Sequence, residues 1–97
     1  MIHPTMNIPL ELKEKYLRRR IIDLQVMRSS LENDDYSFAF RLGHQVKGNA
    51  LTFDIPQIAD IGSELEAAAL KKDKLQIESL IVKMEFMIRS AQEELAS

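Results

Sequence analysis

The sequence predicts an all-α domain, an antiparallel up-down-up-down bundle of four helices. Apolar residues recur at spacings of three and four along most of the chain, and no strand-like alternation competes with them. The breaks between periodic stretches are only a few polar residues long, which favours antiparallel neighbours. With only three Gly and three Pro, little interrupts helix propagation. A length of 97 residues suits one domain with one core, and residues 1–8 are expected to form a loose N-terminus.

The first helix starts after Pro9, and Leu10, Leu17, Ile21, Leu24, Met27 and Leu31 form its stripe up to a stop near Glu32-Asn33-Asp34. Asp34 or Asp35 can cap the second helix, whose apolar positions are Phe38, Leu42, Val46, Ala50 and Phe53. The third is expected to open with Asp54 as cap, Gln57 answering it and Pro56 in the first turn. Its stripe is Ile58, Ile61, Leu65 and Ala68 or Ala69, and Lys71 and Lys72 suit its negative end. Asp73 with Gln76 repeats the capping pattern for the fourth helix, marked by Ile77, Leu80, Ile81, Met84, Met87, Ile88, Ala91 and Leu95.

Composition excludes several functions. Hydrophobic residues at 45% against 29% charged ones describe a globular chain, and a net charge of −2 gives no general attraction to nucleic acid or an anionic membrane. The basic run Arg18-Arg19-Arg20 is interleaved with Glu11, Glu14 and Asp23 and reads as a solvated helix face. Without cysteine there is no disulfide and no thiol chemistry. No apolar run approaches the roughly 18 residues of a membrane span, and Met1 to Pro9 lack the pattern of a signal peptide, so a cytoplasmic protein is expected.

His44-Gln45-Val46-Lys47-Gly48 is the segment with chemistry in it. At 100° per residue, His44 lies two positions from both Leu42 and Val46 and so points away from the core. Lys47 and position 48 are its helical neighbours. Lysine can balance the charge of a phosphoryl group on the imidazole, and glycine leaves the space above the ring clear. A mid-helix glycine costs roughly 0.5–1 kcal/mol relative to alanine, which a merely decorative surface histidine would not justify. Gly43 fits close helix packing as well as an active-site role. Phe40 and Leu51 share the outward face, and together with Arg41 and Gln45 they form a candidate docking surface. Gln45 and Asn49 are candidates for hydrogen bonding at the site. His3 has no such context, and two distant histidines without a third ligand argue against a metal centre. The pairs Asp34-Asp35 and Glu64-Glu66 read as caps and solvated charges.

Through His44-Gln45-Val46-Lys47-Gly48-Asn49-Ala50, then Phe53, Ile55-Pro56, Ile58, Ile61-Gly62 and Leu65-Glu66, the chain resembles the histidine-containing phosphotransfer domains of multistep phosphorelays. Asp54 stands where that family usually has glycine, and Gly43 where alanine is more usual. The resemblance implies that His44 accepts a phosphoryl group from the aspartyl phosphate of a receiver domain and donates it to another. Lys47 would balance the phosphate charge and Gly48 would provide clearance. The attacking nitrogen is expected to be Nε2. Partners would be response-regulator receivers and a hybrid sensor kinase. The chain shows no ATP-binding glycine loop or acidic metal cluster, so no cofactor of its own is expected and Mg²⁺ would sit on the receiver. A monomeric phosphoryl carrier without kinase activity follows. The competing class is a helical adaptor that binds a partner through the Phe40/Leu51 face with His44 idle.

Overall fold

The computed structural model describes residues 9–97; the expected loose terminus of residues 1–8, with His3, lies outside them. Four helices follow one another, and there is no strand among the described residues. They are α1 (Leu10–Glu32), α2 (Ser37–Asn49), α3 (Pro56–Leu70) and α4 (Lys74–Ala96). Helix α2 packs most extensively on α3, while α4 packs on α1 and α3. Leu17, Leu24, Met27, Val46, Ile58, Ile61, Leu65, Ile77, Ile81, Met84 and Ile88 fill the core.

The three turns share one construction. Asp34, Asp54 and Lys72 each take a positive φ, between 54° and 60°. The next residue in each turn donates its N–H five residues back: Asp35 to Ser30, Ile55 to Ala50 and Asp73 to Ala68. This is the six-residue closure that satisfies orphan carbonyls at a helix end, and glycine is its usual left-handed residue. Here aspartate or lysine fills the place instead.

Local chemistry at the helix starts is partly as the sequence predicts. Asp73 Oδ1 accepts from Gln76 N at 3.1 Å, and Pro56 occupies the first turn of α3. Neither Asp34 nor Asp35 is the cap of α2, which falls on Tyr36, but Asp35 Oδ1 accepts from the backbone N–H of Ser37 at 3.0 Å and from its hydroxyl at 2.6 Å. Asp54 does not cap α3. Its left-handed backbone leaves Ile55 at the cap position, and its carboxylate sits 4.0 Å from Lys13 Nζ. Helix α2 also ends earlier than its apolar pattern implies, at Asn49, so Ala50 and Phe53 pack from the following turn.

Arg18-Arg19-Arg20 is not one solvated face. Successive residues turn by 100°, and the third arginine points inward. Arg20 is only 6% exposed; its Nε lies 2.8 Å from Asp23 Oδ2. Its guanidinium lies over the Tyr16 ring, 4.6 Å from the centroid. Tyr16 stacks in turn on Phe53 at 4.2 Å between centroids.

Candidate functional site

The site is made by an unusually close helix crossing. A Cβ placed on Gly43 would stand 2.7 Å from Gly62 O and Glu66 N, and one on Gly62 would stand 2.8 Å from Gly43 O and Lys47 N. Both are far inside van der Waals contact, so only glycine at both positions lets the backbones of α2 and α3 meet. That decides the two readings of Gly43 in favour of packing. The contact also sets what lies opposite His44: one turn beyond Gly62 on α3 is Glu66.

Glu66 bridges the two chemical groups of α2. Its Oε2 is 2.8 Å from His44 Nδ1, and its Oε1 accepts from Lys47 Nζ at 2.8 Å. The hydrogen bond from Lys47, then that from His44, holds the Glu66 carboxyl below its ordinary pKa, so it is ionised at neutral pH. An ionised carboxylate only accepts, which requires the proton on Nδ1. In the neutral ring the lone pair therefore belongs to Nε2, the nitrogen that Glu66 does not engage. The His44 side chain is 69% exposed and that of Glu66 only 17%, so the carboxylate backs the ring while the ring faces outward.

The predicted residues separate on this geometry. His44 and Lys47 come together, one turn apart on α2 and joined through Glu66. Gly48 has no atom within 4 Å of where a Cβ would be, so the space there is open. Leu51 is 57% exposed. Phe40 departs from its expected place: it is half-buried and packs against the core rather than standing on an exposed patch. Asn49 Oδ1 is engaged away from His44: it accepts from the Tyr16 hydroxyl at 2.6 Å and ties α2 to α1. Gln45 is exposed beside a hollow bordered by Arg19, Phe38 and Arg41. Arg41 lies over the Phe38 ring at 5.9 Å, and its Nε donates to Ser37 O at 3.4 Å.

Glu66 is the residue of this cluster that the pattern of charges missed, since it reads there as a solvated carboxylate beside Glu64. The signal for it was the spacing Gly62 to Glu66 on α3 set against Gly43 to Lys47 on α2. Among the described residues no helix is long and apolar enough to cross a membrane.

Residues 11–96 match the family model of the Hpt domain. No curated protein and no solved structure matches the chain. With the match running through all four helices, the chain belongs to the Hpt domain family, the phosphotransfer modules that work with receiver domains in phosphorelays.

Proposed function

We propose that His44 is the phosphoacceptor of this domain, taking a phosphoryl group from a receiver aspartyl phosphate and passing it to another receiver aspartate. The observation that supports this best is the Glu66 bridge, which orients an exposed imidazole and leaves Nε2 as its nucleophile. In the forward step the Nε2 lone pair forms a bond to phosphorus as the bond to the aspartyl oxygen breaks, and the carboxylate leaves with the electron pair. Nδ1 keeps its proton throughout. The phosphorylated ring then carries positive charge, and the Glu66 carboxylate stabilises it as a buried aspartate stabilises an imidazolium in a catalytic triad. The reverse step releases a neutral imidazole, so the same carboxylate serves both directions.

Lys47 approaches the equatorial phosphoryl oxygens from one turn further along α2, sharing its ammonium between them and Glu66. Gly48 gives the receiver's loops access. Mg²⁺ belongs to the receiver, and a hybrid sensor kinase is the upstream source. Arg41, Gln45 and Leu51 border the docking surface, with Phe40 beneath it.

Incubation with a phosphorylated receiver should leave an acid-labile, alkali-stable phosphate on the protein. His44→Gln should abolish the label. Glu66→Gln should keep the fold but slow labelling roughly tenfold, as loss of a charge-assisted hydrogen bond predicts. It should also shift the ring's tautomer balance, read from imidazole ¹⁵N chemical shifts. Absence of label on the unaltered protein across a broad receiver panel would leave the adaptor reading in its place.

A further inference from the structure

Helix α4 carries a second surface. Leu75, Val82 and Phe86 are 79%, 66% and 73% exposed. Their spacings of seven and four set them on one side of the helix, roughly opposite Ile77, Leu80, Met84 and Ile88, which face the core. Open grooves border this stripe on either flank. Val82 borders one beside Leu31 and Ile81, and Phe86 borders another beside Gln57 and Ser90. None of the His44 site lies on this face.

The charges along the face indicate what covers it. Exposed Lys71 and Lys72 lie in the turn before it, ahead of the cap Asp73, exposed Glu93 and Glu94 lie at its end, and between them are Glu78, Lys83 and Arg89, the last paired with Glu85 in its own helix. If a second α4 lies antiparallel about a two-fold axis near Met84, Val82 meets the partner's Phe86 and Glu78 comes beside the partner's Arg89. Each basic start then lies on an acidic end, and the helix dipoles oppose favourably. A parallel pair would set like charge on like charge at both ends. The charges at the two ends of the face are thus self-complementary in the antiparallel orientation, as an isologous contact requires.

We propose that the outer face of α4 is a homodimer interface in which two copies pair antiparallel through Leu75, Val82 and Phe86. The inference does not depend on the phosphotransfer reading. A helix of 23 residues spans only about 34 Å, so the contact is small and the dimer dissociates on dilution.

Sedimentation equilibrium of the full chain should give the mass of two chains at millimolar concentration and of one on dilution. Val82→Glu with Phe86→Glu should be monomeric throughout, with unchanged helicity by circular dichroism. Because the chain has no cysteine, introduced thiols report the orientation. Leu75→Cys mixed with Glu93→Cys should form a disulfide under mild oxidation. Leu75→Cys alone should not, because two such positions in the antiparallel pair are roughly 27 Å apart along the axis and a disulfide needs Cα atoms within about 7 Å. A single-chain mass at millimolar concentration would overturn the proposal. So would a dimer that survives the two glutamates, or Leu75→Cys cross-linking to itself as readily as to Glu93→Cys.

Discussion

The two glycines of α2 have opposite dependence on the fold, and this makes them separable by experiment. A Cβ on Gly43 would meet α3 backbone at 2.7 Å, whereas one on Gly48 would point into open space, and neither glycine has a positive φ. Gly43→Ala should therefore destabilise the domain by about 1–3 kcal/mol, because the helices must part to admit the methyl group. Gly48→Ala should stabilise it by about 0.5–1 kcal/mol through helix propensity. Urea unfolding would measure both, and receiver-dependent labelling should fall for each variant. A Gly48→Ala protein that gains stability and transfers at the normal rate would remove the clearance role. The His44, Lys47 and Gly48 arrangement was legible in the sequence because it repeats along one helix. The bridge that Glu66 makes was not, although the residue stands in the resemblance, since it depends on how far α3 lies from α2, and that distance is set jointly by Gly43 and Gly62. Periodicity within either helix contains no such information. Phe40 was misplaced for a related reason: an angle measured from its own helix says nothing about a neighbour reaching around to cover it.

At the level of elements, a helix start is specified by residues adjacent in sequence, and Asp73 with Gln76 behaves accordingly. Helix ends were harder to foresee because the left-handed residues at them are Asp34, Asp54 and Lys72 rather than glycine. Asp54 shows the consequence. Sequence rules make it a cap for α3, but its positive φ closes the end of α2, and the carboxylate turns toward Lys13. A non-glycine residue in this conformation is strained by roughly 1 kcal/mol or more, while glycine adopts it freely. Lys72 is exposed, so relief of strain should dominate there. Lys72→Gly is expected to stabilise the domain by about 0.5–1 kcal/mol, whereas Lys72→Val should destabilise it. Thermal unfolding of the pair checks the sign, and equal melting temperatures would mean that the α3–α4 turn relaxes without cost.

For the whole molecule, the helices are joined at the surface by carboxylates whose ionisation is linked to folding. Glu66 connects α3 to α2, and Glu85 connects α4 to α1 through Arg28 at 2.8 Å. Hydrogen bonds from Lys47 and His44 hold the Glu66 carboxyl low, that from Arg28 does so for Glu85, and those from Ser37 do so for Asp35. In each case the unfolded chain takes up the proton first as pH falls. The stabilising contribution is thus complete above the unfolded carboxyl pKa of about 4 and disappears as pH drops through the lower folded values. At the other extreme, the hydrogen bond to Asp34 raises Lys74, and burial raises Tyr16. Their contributions are complete below their unfolded values of about 10 and are lost as pH rises through the folded ones. The urea midpoint should therefore be flat between about pH 5 and 9 and decline on both sides, with the acid decline weakened by salt because these carboxylates lie near the surface. Glu66→Gln should flatten part of the acid limb and leave the alkaline limb unchanged. A midpoint at pH 3 equal to that at pH 7 would show that the bridging carboxylates do not contribute to stability. On the proposed phosphotransfer role the same titration bears on transfer: the plateau includes neutral pH, where ionised Glu66 accepts from Nδ1, and below it the site should lose both that orientation and part of the α2–α3 link.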